Sequence, residues 1–361
     1  MAKIFSVPNI YHGENALAAL SQLGLKKVAI VTDEFMLSSG KVNQLIALMP
    51  QASIIIYSEV KAEPTTALLQ AGAEKCKAFR PDTIIALGGG SALDAAKGIK
   101  ATLEEYDPLY HIRLIAVPTT SGSGSEATTY AVFSDPHSGS KYPLVSAALL
   151  PDFTLLDARL VVSVPASVTA DTGMDVLTHA VEALVSTEAN DFSDALAEKA
   201  IALTARYLPQ AYREPHDLSA RAHMHHASCM AGMAFNSAGL GLVHGMAHAV
   251  GGRLHLAHGR INAMLLPLVI EFNSEMQGAQ ARYQQCARLM AADSLAQAVR
   301  TLNQQFAIPA TLKEMGADLA RFATLRGELI QAALADGCTA TNPRRASEQD
   351  IDRLLSRLAG E

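Results

Sequence analysis

Tryptophan is absent from these 361 residues, and aromatic residues make up only 5% of the chain. That lack excludes no fold, because cores are built as readily from Leu, Ile, Val, Ala and Met. Cysteine is scarce: Cys76, Cys229, Cys286 and Cys338 are widely spaced and form no C-x-x-C pair. Such spacing excludes a disulfide framework and reads as reduced, mostly core thiols of a cytoplasmic protein. A basic excess is missing too, with 29 Lys and Arg against 35 Asp and Glu and a formal charge of −6. The electrostatic footprint of a nucleic-acid binder is therefore not there. No apolar run is long enough to span a bilayer. The opening Met-Ala-Lys-Ile-Phe-Ser-Val-Pro-Asn-Ile has no apolar core followed by a cleavage site, so neither secretion nor membrane insertion is expected. Two nucleotide signatures are also missing, G-x-G-x-x-G and G-x-x-x-x-G-K-[ST].

What is present is a core-forming composition, 49% hydrophobic and 18% charged, at a length that favours two domains. Short β-branched runs at 27–33, 53–60, 83–87 and 113–117 alternate with stretches of helical length. Continuous apolar strands separated by helices predict a parallel sheet covered on both faces. A hairpin is expected over 128–133 and 141–145, around a turn-rich Ser-Asp-Pro-His-Ser-Gly-Ser segment, and a last strand at 153–157. After Pro165, Ala/Leu/Met-rich stretches with helical spacing dominate, among them 174–186, 193–208 and 218–235. The expected architecture is an α/β, Rossmann-like dinucleotide-binding domain over 1–164 and an all-α metal-binding domain over 165–361.

Gly88-Gly89-Gly90-Ser91 falls between a strand and a helix expected to begin near Ala92. Glycines let the backbone approach a phosphate, and a helix N-terminus offers free N–H groups. A tight turn that needs positive φ is the plainer alternative. Pro118-Thr119-Thr120-Ser121-Gly122-Ser123-Gly124-Ser125-Glu126 is a second loop of small residues after a strand, either a nucleotide contact or an ordinary polar loop. Asp33 ends the first strand, where an acid can accept bonds from ribose hydroxyls and repel a 2′-phosphate, favouring NAD; a solvated turn aspartate is the other reading.

Twelve histidines make any single one weak evidence. His12, His111, His137 and His216 read as surface or turn residues, and His223, His225 and His226 have no acid at helical spacing. Asp175 and His179 differ: they stand at i and i+4 in an apolar stretch, where a carboxylate is costly without a partner. A metal ion provides one, and a buried Asp–His hydrogen bond would provide another. His244 and His248 form a second i, i+4 pair, with His258 able to return after a break at Gly251-Gly252. One carboxylate with imidazoles suits Fe(II) or Zn(II). Spacing alone leaves His248, His258 and the weaker His255 open as the last ligand.

Several of these segments together resemble the iron-containing (group III) alcohol dehydrogenases: Gly-Gly-Gly-Ser at 88–91, Pro-Thr-Thr-Ser-Gly-Ser-Gly-Ser-Glu at 118–126, Thr-Gly-Met-Asp-Val-Leu-Thr-His-Ala-Val-Glu at 172–182, and Gly-Leu-Gly-Leu-Val-His-Gly-Met-Ala-His at 239–248. Ala-His-Gly at 257–259, Asn-Ala-Met-Leu-Leu-Pro at 262–267 and Thr-Asn-Pro-Arg at 341–344 continue the match in order. The resemblance implies metal ligation by Asp175, His179, His244 and His258. It places His248 beside nicotinamide and substrate as a proton-relay or orienting residue. It implies NAD contacts at Asp33, Gly89, Gly90, Ser91, Thr119, Thr120, Thr128, Tyr130, Lys141 and Leu160.

Ser-Cys-Met-Ala-Gly-Met-Ala-Phe at 228–235 looks most like the members that serve ethanolamine and propanediol utilisation. That implies ethanol/acetaldehyde or propanol/propionaldehyde as substrates, a homodimer or larger homo-oligomer, and association with a bacterial microcompartment as an option for a cytoplasmic enzyme. Ser121 and Ser123 replace the usual Ala and Thr, Glu63 replaces a common Asn, and Arg253 stands in a run that is usually apolar or aromatic. Three other readings share parts of the pattern: a zinc polyol dehydrogenase, a dehydroquinate-synthase-like lyase, and a non-enzymatic NAD-binding scaffold.

Overall fold

The computed structural model describes residues 4–62, 64–107, 109–134 and 141–361, with backbone alone at 141 and 142. The chain divides into two compact units, Met1–Ser163 and Val164–Glu361.

In the first unit the apolar runs become strands β1 (Asn9–His12), β2 (Lys27–Val31), β3 (Ser53–Tyr57), β4 (Thr83–Gly88), β5 (Arg113–Pro118) and β8 (Phe153–Leu156). They form one sheet in the order β1-β8-β5-β4-β2-β3, and every neighbouring pair is parallel. Alternate residues feed two cores: Ala29, Val31, Ile84, Ala86, Leu114 and Ala116 on one face, Val28, Ile30, Ile85, Leu87, Ile115 and Val117 on the other. A strand buried on both faces has to be apolar throughout, which is why these runs show no alternation. β1 was not expected, because an edge strand that is largely exposed carries no apolar run. Helices α1 (Glu34–Ser38), α2 (Lys41–Ala47), α3 (Thr66–Lys77) and α4 (Gly90–Tyr106) connect the strands. The hairpin is present as β6 (Tyr130–Ser134) and β7 (Lys141–Val145), an antiparallel pair outside the main sheet. Its turn, His137 included, lies outside the described residues, as does Glu63.

The strand order reverses direction between β2 and β4. In a parallel sheet the loops at the carboxyl ends of two such strands diverge to opposite faces and leave a crevice, a common place for ligands.

The second unit is helical: α5 (Ala166–Val185), α6 (Asp191–Arg213), α7 (Leu218–Ala238), α8 (Leu242–Leu254), α9 (His258–Asn273), α10 (Gln277–Leu289), α11 (Leu295–Gln305), α12 (Leu312–Met315), α13 (Leu319–Ala335) and α14 (Glu348–Ala359). One large core holds them together. α5 starts eight residues before the expected Met174. Ser, Thr and Asp in that stretch compete locally with helix formation. Burial of Thr169 and Ala170 overrides that preference. α6 also outruns expectation, from an Asn190–Ser193 capping box and through Pro209 to Arg213.

Candidate metal centre and nucleotide loops

α5 is apolar on nearly every side, yet it carries Asp175, His179 and Glu182, all buried. At i, i+4 and i+7 they lie along one face of the helix. α8 brings His244 and His248, one turn apart. α9 begins at His258. The break expected at Gly251-Gly252 does not occur: α8 runs through both glycines, and the chain reverses at His255, whose φ is 54°. A close approach of α9 to α5 then delivers His258, because Gly259 has no side chain. A Cβ there would stand 2.1 Å from the Asp171 carbonyl oxygen.

Four side chains meet around one oxygen. Asp175 Oδ1 lies 3.7 Å from His244 Nε2, 3.7 Å from His258 Nε2 and 3.9 Å from His179 Nε2. The donor atoms of Asp175, His244 and His258 are mutually within 4.8 Å. These separations exceed hydrogen-bond length, so a direct Asp175–His179 bond is not what occupies the carboxylate. Donors sharing a tetrahedral ion with bonds of ~2.1 Å stand about 3.4 Å apart, close to the spacing seen. Asn262, one turn after His258, donates from Nδ2 to Asp175 Oδ1 at 2.7 Å and lies 3.1 Å from Nε2 of both His244 and His258. Its own Oδ1 is buried and takes no hydrogen bond. Asp175, His244 and His258 are close enough together to share a divalent cation, and His179 faces the same carboxylate oxygen from slightly farther away.

Burial works against charge on Asp175, yet the facing imidazoles of His179, His258 and His244 hold its carboxyl well below the usual range. Burial likewise opposes a charged His244, but the Glu182 and Asp175 carboxylates lift its pKa to about 9. Glu182 Oε1 accepts the Val243 N–H at 2.7 Å, and Oε2 faces His244 Nδ1 at 2.5 Å. With Glu182 taking the Nδ1 proton, Nε2 is the nitrogen that faces Asp175, so once the ring gives up its second proton the Nε2 lone pair is the one open to a metal.

The other histidines separate from this group. His248 directs Nδ1 to Asp336 Oδ2 at 2.9 Å, and its ring stacks on His258 with centroids 5.3 Å apart. His255 is exposed. His223 stacks on Tyr207 at 4.0 Å and joins no metal-binding group. Arg253 Nε lies 3.6 Å from Glu328 Oε2, both partly exposed.

In the first unit six of the ten candidate nucleotide contacts, Asp33, Gly89, Gly90, Ser91, Thr119 and Thr120, gather just past the carboxyl ends of β2, β4 and β5. Asp33 caps α1 by accepting the Met36 N–H at 2.8 Å, and its Oδ2 would be 3.6 Å from a Cβ on Gly88. Of the three glycines only Gly88 has positive φ. A Cβ on Gly90 would stand 2.9 Å from Ser123 Cβ, and one on Gly89 3.3 Å from Thr120 Oγ1. The glycine run thus serves the packing of two loops as well as any phosphate. α4 starts at Gly90, two residues earlier than expected, with no side chain capping it. Ser91 and Thr120 are half-buried, and Thr119 is buried with its N–H on Gly88 O at 2.9 Å. Thr128 and Leu160 are buried. The Thr128 hydroxyl receives a bond from Lys97 Nζ at 3.1 Å, and the same Nζ reaches the Tyr130 carbonyl at 2.6 Å. Leu160 sits in the apolar core. The side chain of Lys141 lies outside the described residues.

Sequence reasoning missed Glu182, Asn262, Asp336 and Lys97. Glu182 and Asn262 had a signal, since each stands at helical spacing from a ligand. Asp336 had none, being 88 residues from His248.

Comparison with known proteins places the whole chain in one family. The profile of the iron-containing alcohol dehydrogenases matches residues 8–158, and that of the C-terminal part of the Fe-containing alcohol dehydrogenase family matches 169–359. The 1-propanol dehydrogenase PduQ of Salmonella typhimurium (strain LT2) is 42% identical over 361 residues, covering 97% of each chain. The iron-containing alcohol dehydrogenase of Thermococcus thioreducens superposes with a TM-score of 0.92 at 32% identity, over 99% of this chain and 100% of the other. The sulfoacetaldehyde reductase of Bifidobacterium kashiwanohense, solved in complex with NAD+, gives a TM-score of 0.90 at 27% identity over 99% of both chains. The chain belongs to the iron-containing alcohol dehydrogenase family.

Proposed function

We propose that the protein is a metal-dependent, NAD-linked alcohol dehydrogenase that interconverts small primary alcohols and aldehydes, with propanol/propionaldehyde or ethanol/acetaldehyde as the pair. The observation that carries it is the meeting of Asp175, His179, His244 and His258 around one oxygen, inside a helical unit whose relatives include a 1-propanol dehydrogenase. Fe(II) is the proposed ion, with Zn(II) acceptable to the same N/O set.

A bound ion would supply stabilisation of negative charge on the alcohol oxygen, and a bound NAD+ would supply the hydride acceptor, for a net reaction of alcohol and NAD+ to aldehyde, NADH and a proton. The residues do the rest. Asp175, His179, His244 and His258 hold the ion. Glu182 keeps His244 in the tautomer that binds it. His248 offers Nε2 to the hydroxyl proton. Asp33, Gly89, Gly90, Ser91, Thr119 and Thr120 are the proposed NAD contacts that cluster at the strand ends. Thr128, Tyr130, Lys141 and Leu160 stay in the proposal on the family resemblance alone.

The resemblance also supports a homodimer or larger assembly in the cytoplasm, with association with a bacterial microcompartment as an option. No helix among the described residues is long and apolar enough to cross a membrane. Light scattering after gel filtration tests the assembly. The test of function is an anaerobic panel of ethanol, 1-propanol and glycerol with NAD+ and NADP+ on Fe(II)-loaded protein. Turnover of a simple alcohol with NAD+ is the expected result. Activity on glycerol alone, or none at all, would overturn it.

A further inference from the structure

The segment after α13 folds back along α8. Thr341 Oγ1 donates to the Leu240 carbonyl at 2.7 Å, and Asn342 Oδ1 accepts the Leu242 N–H at 3.1 Å where α8 begins. Thr339 sits against Gly245 so closely that a Cβ on that glycine would stand 2.0 Å from Thr339 Oγ1. The Thr-Asn-Pro-Arg motif at 341–344 therefore secures the helix that carries His244 and His248. Asp336 opens the same segment. Its Oδ1 accepts the Cys338 N–H at 2.8 Å and caps the 3₁₀ turn Gly337–Thr341, while Oδ2 faces His248 Nδ1 at 2.9 Å.

We propose that Asp336 is a positioning residue for His248: it fixes the ring and keeps the neutral imidazole protonated at Nδ1, so that Nε2 carries the free lone pair. With Oδ1 engaged by a backbone N–H, the ionised carboxylate can only accept, and His248 must be the donor. The ring so held stacks on His258 at 5.3 Å and meets His244 edge-on at 5.9 Å, which confines Nε2 to the neighbourhood of two ligands of the proposed ion. This inference rests on the proposed alcohol dehydrogenase reading for its chemical purpose.

Asp336→Ser tests it, because serine can still cap the turn at Cys338 but is too short to reach His248. The variant is made in the full chain alone and with His248→Gln, and both are loaded with Fe(II) for kinetics and with Zn(II) for 15N-histidine NMR. Bound metal per chain should stay at the parent level. Asp336→Ser should lower kcat roughly 10–100-fold with a much smaller change in KM for 1-propanol. In the His248→Gln background it should cost nothing further, since the two act as a unit. The parent spectrum should show a His248 signal protonated at Nδ1 that His248→Gln removes and Asp336→Ser moves toward the other tautomer. Equal losses in both backgrounds, or an unmoved His248 tautomer, would overturn the inference. If the parent binds metal but oxidises no alcohol, the function fails separately, and the NMR arm still decides Asp336.

Discussion

Glu182 Oε2 lies 2.5 Å from His244 Nδ1, and the two residues come from different helices of the second unit. The same carboxylate accepts the Val243 N–H through Oε1, so both its neighbours are donors. Glu182→Gln has the right shape but only one acceptor oxygen, and its amide N–H must face one of the two donors. We expect metal affinity to fall roughly 10–100-fold while the fold persists. Titration with a competing chelator, followed by metal analysis, measures the change. Parent-level affinity in the glutamine variant would show that any polar group of that size suffices.

Gly259→Ala places a methyl group 2.1 Å from the Asp171 carbonyl oxygen, which is backbone and cannot swing aside. α9 has to move away from α5, taking His258 with it. Overpacking of this kind costs about 1–3 kcal/mol. In the parent, chelation should lower thermal stability, since an ion at about 1,000 times its Kd contributes about 4 kcal/mol. In the variant, chelation should change the unfolding midpoint far less, because the ion is already poorly held. Thermal melts of both proteins with and without chelator give the four values needed.

Asp33 has an observed role as a helix cap and a proposed role at the ribose, and one substitution can separate them. It caps α1, and its free oxygen lies beside Gly88, where a ribose would bring a 2′-hydroxyl or a 2′-phosphate. Asp33→Ser keeps a capping oxygen and removes the charge. The ratio of activity with NADPH to NADH should rise about tenfold or more, without loss of thermal stability. An unchanged ratio would leave Asp33 as a cap only.

The first unit buries both Lys97 and Glu126, and each feels the other's charge. Burial pushes Glu126 up to about 7, and burial brings Lys97 down to about 8 against the attraction of Asp94 and Glu126. The folded chain keeps the Glu126 proton between pH ~4.5 and 7, where the unfolded chain gives it up. Stability must then fall as pH rises through that window. Above pH ~8 Lys97 contributes in the opposite sense, because there the unfolded chain holds a proton that the folded chain has given up. Glu126→Gln should remove the fall, a gain on the order of 3 kcal/mol at pH 7.5 relative to pH 4.5. Urea unfolding of parent and variant across pH 4.5–9 reads it. Parallel curves for the two would show that Glu126 is not the group responsible.

The division of labour between chain and fold follows from the range of each signal. Unbroken apolar runs such as Thr83–Gly88 already specified a parallel sheet covered on two faces, and the pairs Asp175/His179 and His244/His248 already specified two helical faces aimed at a ligand. These are local patterns, written into spacings of two or four residues, and any chain that folds must satisfy them. Spacing could not choose between His248 and His258. That depended on where α8 ends, at His255 instead of Gly251-Gly252, and on the bare backbone of Gly259 that lets α9 lie against α5. Nor could it find Asp336, which reaches His248 only because the segment after α13 folds back along α8. Contacts made across tens of residues depend on how whole helices pack, and side-chain order along the chain carries no record of them until that packing is complete.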